Sequence, residues 1–499
     1  MLLALCFIWY GMTVVVNLFH FNYIMNADLA SEGILARLIW EKKQWVPDTW
    51  YVATELQLIF TPQLAAVLYG ITNNMNLSMG LACSIISLAI LGTIAYFCKK
   101  VKMDSVLEIA MVFLCLMLPT TFSMLELTYL FVGYYAEHII TFFLTLSVYA
   151  ILLRDIKEKG IYFKMGLCLF LALVLGLQGT RGILVIYGPL FGIEVIRLLF
   201  VKYSKGKIDT SNLRTLVFSI LLLIISYLGT LSPLSVGQNI SRNIRNGLHK
   251  LWVDVIPDNM RAIGFAEGHI LRNICLAVII ICVLVQIVGI LINLLKKKEI
   301  LPIQWCFLVV AASPVVAAFM VSFTTVESSE RYYFMWIFSM AYSIVMLWIN
   351  VKKKEFKIIL MAAVVILAVI NARDIYMPIF ATADPPHTDA YDVVTYLEEN
   401  NLSVAYSTFE NANKMTALSN GKVNVYAVDS MKKMNECKWM TSTEWYPPEM
   451  PYHQKTAYIV PEVFEDDFGK FIDAGADCEL VNKIGCYSIW VSEYNYTMK

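Results

Sequence analysis

Charged residues are scarce in this chain of 499 residues. They make up 16% of the sequence, against about 25% in an average soluble domain, so an ordinary soluble protein is excluded. The charges also balance at a formal net charge of +0, which leaves no basic excess to suggest a nucleic-acid partner. Apolar residues are abundant instead: 58% of the chain is hydrophobic and the mean hydropathy is +0.63. This composition is typical of a membrane protein with many spans.

Sequence motifs of soluble enzymes are absent as well. The chain has no phosphate-binding Walker loop, no dinucleotide fingerprint and no zinc-protease motif. Without a nucleotide site, an enzyme of this kind would take an activated substrate from the lipid phase. Most of the eleven cysteines lie inside apolar stretches, where cysteine acts as a small apolar side chain. In the polar tail, Cys478 and Cys486 could pair if their strands are neighbours.

Eleven apolar stretches approach the length of about 20 residues that a transmembrane helix needs. They cover residues 2–20, 78–98, 104–122, 137–153, 163–179, 182–200, 215–232, 272–293, 303–323, 332–350 and 357–377. The stretch 56–71 is shorter and is interrupted by Pro62. For it we predict a helix that lies in the outer interface or dips into it.

Clusters of Lys and Arg fall only at every second gap between these stretches. They occupy residues 99–102, 154–164, 197–214, 296–298 and 352–357. Because cytoplasmic loops carry the basic excess, eleven crossings put the N-terminus in the cytoplasm and the C-terminus outside. We therefore expect a multi-pass protein of the cell membrane, with membrane lipids as its surroundings and its remaining loops and tail facing outward.

Two domains are expected from this pattern. Residues 1–380 would form the membrane domain, with a long first external loop at 21–77. A second external loop, 233–271, has an excess of basic residues that would suit an anion. In residues 384–499 short helices and strands alternate, which predicts a small extracytoplasmic α/β domain.

The first external loop should contain an amphipathic helix. Apolar residues from Leu29 to Ile39 recur at helical spacing, and we place them opposite a polar face that includes Ser31 and Glu32. Aromatic side chains are favoured at headgroup depth, so we expect four of them there: Trp40, Trp45, Trp50 and Tyr51.

Asp28 directly follows the first span, in the segment Asn26-Ala27-Asp28. A carboxylate at the outer mouth of a helix bundle can have a raised pKa and act as a general base. The alternative is that Asp28 caps the amphipathic helix, because Asp is a good N-cap residue.

Other ionisable residues lie at the outer ends of later spans. Glu126, Glu137 and His138 could bind a divalent metal or a phosphate, or could form an interfacial polar cluster with neighbouring tyrosines. Arg181, between two glycines, and Arg331, at the start of the tenth span, could each hold a phosphate with two hydrogen bonds. The alternative for each arginine is that it extends to the lipid headgroups.

Several short motifs, in this order and topology, resemble the GT-C superfamily of polyprenyl-phosphate-dependent membrane glycosyltransferases, which includes protein O-mannosyltransferases and aminoarabinose transferases. The resemblance covers residues 1 to about 377 and rests on Asp28 after the first span, the amphipathic helix, the basic end of the second span, and three segments: Trp50-Tyr51-Val52-Ala53-Thr54-Glu55-Leu56, Thr61-Pro62-Gln63-Leu64 and Glu330-Arg331-Tyr332. The external tail fits bacterial members that have a C-terminal domain.

The resemblance implies roles for these residues. Asp28 would deprotonate or orient the acceptor, and Arg331, with Arg181, would hold the donor phosphate. A second acidic, metal or acceptor site would involve a residue from the set Glu55, Glu126, Glu137 and His138. Leu29 stands where the family often has a second carboxylate, so a divalent metal is an open expectation.

The sequence thus predicts an α-helical polytopic membrane protein of about 11 spans with a GT-C-like fold. Its expected function is transfer of a sugar from a polyprenyl-phosphate donor to a glycan, lipid or protein acceptor on the outer face. Two alternatives stay open: a transporter or flippase of lipid-linked glycans, and a polymerase or ligase of such glycans.

Overall fold

The structure is a computed structural model that describes residues 1–53, 56, 58–130, 134–154, 158–232, 241–381, 387–448 and 451–497. Over these ranges the chain is mainly helical. The helices are α1 (Leu2–Phe19), α2 (Phe21–Ile24), α3 (Ala27–Lys42), α4 (Thr61–Thr72), α5 (Met75–Lys100), α6 (Ser105–Met117), α7 (Phe122–Leu125), α8 (Ala136–Leu153), α9 (Ile161–Gln178), α10 (Gly188–Lys205), α11 (Thr210–Thr230), α12 (Gly247–Lys250), α13 (Ile256–Ile263), α14 (Ile270–Leu295), α15 (Pro302–Ser322), α16 (Met335–Asn350), α17 (Lys354–Asn371), α18 (Met377–Ala381), α19 (Thr388–Glu399), α20 (Phe409–Leu418) and α21 (Glu465–Asp473).

Shorter elements complete the secondary structure. Wide π-helical turns are Glu126–Leu130, Ile183–Tyr187, Leu251–Val255 and Ala372–Tyr376, and tight 3-10 turns are Glu330–Tyr333, Thr443–Trp445 and Glu462–Phe464. The strands are β1 (Trp50–Tyr51), β2 (Val404–Thr408), β3 (Asn424–Val428), β4 (Thr441–Ser442), β5 (Tyr452–Pro461), β6 (Glu479–Ile484) and β7 (Tyr487–Asn495).

Ten helical segments in the described ranges are long and apolar enough to cross a membrane, and they coincide with ten of the predicted spans. The remaining one, predicted at 104–122, is the 13-residue helix α6. Asp104 caps α6, and the helix ends two residues before Pro119. At 1.5 Å per residue α6 is about 20 Å long, less than the roughly 30 Å of a hydrocarbon core. The α-helical polytopic class is confirmed, with α6 too short to span by itself.

The chain forms two compact units. Unit 1 comprises Met1–Thr13, Ile86–Tyr129 and Gly133–Pro378, and unit 2 comprises Val14–Ile85, Leu130–Val132 and Ile379–Lys499. Unit 2 therefore combines most of the first external loop with the C-terminal tail, which are far apart in sequence. The functional division into residues 1–380 and 384–499 stays a prediction. The sequence Asp384-Pro385-Pro386 suggests a linker between the two parts, and these three residues lie outside the described ranges.

The C-terminal part of unit 2 contains the predicted α/β fold. Its five-stranded sheet has the order β3-β2-β5-β7-β6, with β2 parallel to β3 and β5, and β7 antiparallel to β5 and β6. One apolar core includes Val393, Leu397 and Ile489, and a second includes Tyr458 and Phe468. Because strand side chains alternate between faces, each face of the sheet has a core of its own. The thiols of the tail, Cys478 and Cys486 among them, are free.

Helix α3 is more buried than its sequence pattern predicted. It packs against α4 and α20, and ten of its residues are buried, including Ser31 and Glu32, both 0% exposed. The expected polar face was therefore wrong for these two residues, because α20 covers a face that the sequence assigned to solvent. Asn413 Nδ2 on α20 donates to Ser31 Oγ at 2.6 Å, so the buried hydroxyl is hydrogen-bonded.

A two-stranded sheet also ties the first loop to the tail within unit 2. Strand β1 pairs antiparallel with β4, with Trp50 opposite Ser442. The Trp50 ring is buried and packs edge-on against Trp445, with 5.9 Å between ring centroids. Lys42 Nζ pairs with Glu444 Oε1 at 2.5 Å. The headgroup position expected for Trp50 was therefore wrong, because β4 and its neighbours cover this ring.

Helix α4 is 12 residues long, about 18 Å, and so is too short to span. Pro62 lies in its first turn, where the missing proline N–H costs nothing. The sequence analysis treated Pro62 as an interruption of the apolar stretch. In the structure Pro62 instead lies at the start of the helix.

A buried network of polar side chains links three helices of unit 1. The Arg197 Nε and Nη2 groups donate to both carboxylate oxygens of Glu194 at 2.8 Å, and Nη2 also donates to Thr215 at 2.7 Å. Tyr149 OH donates to Glu194 at 2.7 Å. This buried network links α8, α10 and α11.

Helices α9 and α11 cross closely at a glycine. A Cβ on Gly176 of α9 would lie 2.1 Å from the Ser226 carbonyl oxygen of α11, so only glycine permits this close crossing.

Candidate functional site

Asp28 lies in the first turn of α3, in unit 2. The cap of this helix is Asn26, whose Oδ1 accepts a hydrogen bond from the Leu29 N–H at 2.9 Å. The alternative role of Asp28 as the cap is therefore wrong. The Asp28 carboxylate is exposed, so a solvent-borne molecule can reach it.

A cleft in unit 2 lies beside the same helix. It is lined by Glu32, Leu35, Trp45, Val46, Pro47, Trp50, Val52, Ala53, Gln63 and Met440. Its space, including the part open to solvent, is about 330 Å³. Glu32 is buried and Gln63 is 4% exposed, so the cleft combines two aromatic rings with two buried polar side chains. Glu55 lies outside the described residues.

Unit 1 contains a stack of a cation and two aromatic rings. The Arg181 guanidinium carbon lies 4.7 Å from the Tyr135 ring centroid, within the range of a cation–π interaction. Tyr135 in turn stacks on Phe334, with centroids 4.5 Å apart and ring planes only 8° from parallel. Both rings are buried. The stack fixes the position of Arg181, which follows the turn at Gly179.

Arg331 lies next to this stack along the chain, and we call the two arginines together with Tyr135 and Phe334 the arginine–aromatic cluster. It lies in the tight turn Glu330–Tyr333 that leads into α16, three residues before Phe334. Its guanidinium carbon is 5.5 Å from the Tyr332 ring centroid. Both arginines therefore lie on segments that meet at the Tyr135–Phe334 stack: Arg181 rests on the Tyr135 ring, and Arg331 lies in the turn that leads to Phe334.

Two further candidates, Glu137 and His138, lie in the first turn of α8, directly after Tyr135. His138 Nδ1 lies 2.7 Å from Glu137 Oε1, although their orientation does not form a hydrogen bond. The His138 ring contacts the Tyr135 ring edge-on at 6.3 Å. Glu126 is half-buried and starts the π-helical turn Glu126–Leu130.

The metal expectation finds little support in this cluster. Among the described residues, no group of three or more His, Cys, Asp and Glu side chains could hold a metal ion. Glu137 and His138 give two ligands, and a protein metal site usually needs at least three. We therefore derive no chemical step through a metal.

In the described part of the second external loop, Lys250 is hydrogen-bonded to backbone carbonyl groups of the protein itself. Lys250 Nζ donates to the Thr324 carbonyl at 2.9 Å and also to the Val326 carbonyl, and burial lowers the pKa of Lys250. Another cation, Arg261, pairs with Asp258. The predicted anion site in this loop thus loses two of its candidates, and residues 233–240 lie outside the described ranges.

Sequence reasoning missed Glu32, Gln63 and the stacking role of Tyr135. Glu32 follows Asp28 by four residues, which places the two carboxylates on one side of a helix. That spacing could have marked Glu32. Tyr135 was read only as an interfacial tyrosine, and its stacking on Phe334, 199 positions later, leaves no local signal in the sequence.

Ten apolar helices and a small sheet with its helices, all within the described ranges, define an α-helical polytopic membrane protein with an α/β part. The chain is similar in structure to ArnT from Cupriavidus metallidurans in the apo state, with a TM-score of 0.58 and 10% identity over 97% of each chain. It is also similar to that protein bound to undecaprenyl phosphate, with a TM-score of 0.54 and 10% identity, covering 97% of this chain and 98% of that one.

A third similar structure is the oligosaccharyltransferase AglB from Archaeoglobus fulgidus in complex with an inhibitory peptide and a dolichol-phosphate. Here the TM-score is 0.51 and the identity 12%, over 93% of this chain and 70% of that one. Across structures of that enzyme, the chain spans from 64% to 73% of its length. The protein therefore has the GT-C fold, as its motifs predicted.

Sequence comparison adds less. The model of a family of unknown function, DUF5317, matches residues 297–423. This stretch runs from the start of α15 through β2 and α20, so it includes Arg331 but not Asp28 or Arg181. No curated protein matches the sequence.

Proposed function

We propose that this protein is a membrane glycosyltransferase that moves a sugar from a polyprenyl-phosphate donor to an acceptor on the outer face of the membrane. The observation that supports this most is the Tyr135–Phe334 stack within a GT-C fold, which carries Arg181 on one ring and follows directly on the turn that contains Arg331. Solved structures of that fold bind undecaprenyl phosphate or dolichol-phosphate, and the same chemistry would suit this cluster.

The donor phosphate would be held by the two guanidiniums. Arg181 is fixed from below by the Tyr135 ring, so little side-chain entropy is lost when it binds an anion. As the bond between sugar and phosphate breaks, negative charge grows on the leaving phosphate. Two cations held in place before the reaction stabilise that charge more in the transition state than in the ground state.

The acceptor would be activated by Asp28. Its carboxylate accepts the proton of the acceptor hydroxyl, and the hydroxyl oxygen attacks the anomeric carbon from the face opposite the phosphate. The new glycosidic bond forms as the bond to the phosphate breaks, so the configuration at the anomeric carbon inverts. Water-exposed Asp28 suits an acceptor that arrives from outside the membrane.

The two alternatives predict different lipid intermediates. Deleting a transferase would remove one sugar from a surface glycan, lipid or protein, and the sugar-charged polyprenyl phosphate would accumulate. Deleting a polymerase or ligase would leave whole lipid-linked chains unjoined, and deleting a flippase would retain the donor on the cytoplasmic side. Mass spectrometry of surface glycans and lipid-linked sugars, with and without the gene, separates the transferase from the polymerase or ligase. Treating intact cells with an impermeant oxidant before extraction separates the flippase, because only a donor on the outer face is oxidised.

The active-site assignment needs point variants in the same comparison. Asp28→Asn keeps the shape but removes the base, so transfer should fall by about 10²–10⁴-fold. Arg331→Lys keeps a cation but loses the two-pronged geometry. Its affinity for the lipid donor should therefore fall, so that more donor is needed for half-maximal transfer, and Arg331→Ala should lower the affinity further. If Arg331→Lys matches the wild type in donor dependence and maximal rate, Arg331 only anchors the helix at the headgroups.

The proposed orientation places the N-terminus in the cytoplasm and residues 384–499 outside, on the basis of the alternating basic clusters. In a background without the native tail thiols Cys437, Cys478 and Cys486, cysteines introduced in the tail should react with an impermeant reagent in intact cells, and a cysteine at position 297 should not. If Lys297→Cys reacts with the reagent from outside, the proposed orientation is wrong.

A further inference from the structure

We propose that the cleft beside α3 is a subsite for the acceptor and binds a pyranose ring. This inference rests on the proposed glycosyl transfer, and it names the chemical class of the acceptor group nearest to Asp28. The cleft belongs to unit 2 alone, so its walls are residues of one compact body.

The aromatic walls of the cleft are held in fixed positions. Trp45 Nε1 donates to the Leu58 carbonyl at 2.6 Å, while the residue remains 55% exposed. Trp50 is held by the β1–β4 pairing and by its edge contact with Trp445. An immobile indole that is still accessible offers a flat apolar surface to a ligand at little entropic cost.

The polar walls suit hydroxyl groups. Glu32 presents a carboxylate, which accepts hydrogen bonds, and Gln63 presents an amide, which both donates and accepts. A pyranose has an apolar C–H face for an indole ring and hydroxyls around its edge for such groups. Buried polar groups in a pocket favour ligands with matching hydroxyls over those that lack them. A purely apolar acceptor would leave Glu32 and Gln63 facing an unsuitable partner.

The register of α3 connects this cleft with the proposed base. Asp28 and Glu32 are four residues apart, so they lie on one side of the helix, about 6 Å apart along its axis. That distance is close to the width of one sugar ring. A ring seated at Glu32 and the tryptophans would therefore present a hydroxyl near Asp28, and Met440 from the tail would close the other side.

The test uses the full chain in nanodiscs and needs no lipid donor. Methyl pyranosides of glucose, mannose, galactose and N-acetylglucosamine are titrated, and binding is read by saturation-transfer NMR. At least one should bind with a Kd in the millimolar range, as is usual for a single small ring (about −4 kcal/mol at 1 mM). Trp45→Leu and Glu32→Gln should each weaken that binding at least fivefold.

The controls separate the site from the fold and from the proposed function. Trp252→Leu removes a 69% exposed tryptophan of unit 1 and should leave binding unchanged. Trp45→Leu changes an exposed side chain, so its melting temperature should match the wild type even if that of Glu32→Gln does not. Pyranoside binding that survives in a protein without transferase activity supports this cleft and rejects only the proposed function. The cleft is rejected if no pyranoside binds, if Trp45→Leu binds as the wild type does, or if a Ser/Thr peptide binds in place of every sugar.

Discussion

Replacing Tyr135 should weaken phosphate binding through Arg181, although Tyr135 need not touch the phosphate itself. The Tyr135 ring lies under the Arg181 guanidinium at 4.7 Å, and a cation–π contact of this kind contributes about 0.5–2 kcal/mol. If that contact holds Arg181 in its binding position, its loss should raise the Kd for undecaprenyl phosphate by about 2- to 30-fold. Tyr135→Phe keeps a ring over Phe334 and should stay close to the wild type, whereas Tyr135→Leu should show the full loss.

A buried ring also contributes to stability, so the measurement needs a matched control. Phe143 is a buried aromatic residue of α8, the helix that begins directly after Tyr135, and packs against Phe97 and Phe338. Phe143→Leu should lower the melting temperature as Tyr135→Leu does, without weakening phosphate binding. The Kd for undecaprenyl phosphate, measured in nanodiscs for wild type and the three variants, decides the matter. Equal affinities for Tyr135→Leu and Phe143→Leu would refute a positioning role.

Three further predictions concern stability. Arg197→Met should destabilise unit 1 by about 3–5 kcal/mol, because it leaves the Glu194 carboxylate buried without its cation, and adding Glu194→Leu should restore most of the loss in a denaturant titration. Gly176→Ala should lower the melting temperature because its new Cβ meets the α11 backbone, whereas Gly166→Ala on the same helix enters open space and should not. Burial, together with a nearby lysine, lowers the pKa of His387. The folded state then binds fewer protons than the unfolded one, so stability should fall as the pH drops below the unfolded pKa of about 6.5. Melting curves from pH 7 to 5 should show this loss in the wild type and a smaller one in His387→Gln.

The membrane helices could be predicted because hydropathy is a local property. Each span of about 20 apolar residues is visible in the sequence whatever it packs against. The exception, α6, shows the limit: the apolar residues continue to Pro119 and beyond, but the helix ends at Met117. Composition does not record where the backbone turns. In the tail, the alternation of short helices and strands predicted the α/β class for the same local reason.

The candidate site was predictable only in part, because its geometry depends on contacts between distant segments. Arg181 and Arg331 stood out as cations at the outer ends of spans, where cations are disfavoured. Their common neighbour Tyr135 did not, since nothing near it in sequence marks the stack. The burial of Glu32 was hidden for a related reason: a helix covered on two sides has no true polar face, so periodicity assigned Glu32 to solvent.

The pairing of α3 with α20 has a consequence for the order of synthesis. Ser31 and Asn413 are 382 positions apart, and at roughly 5–20 residues per second a ribosome needs about 20–75 s to make the chain between them. Throughout that interval the side of α3 that carries Ser31 waits for Asn413. Membrane insertion of the intervening helices must therefore proceed while the first loop is incomplete, and a premature stop in the tail would leave an early segment of the chain unfinished as well.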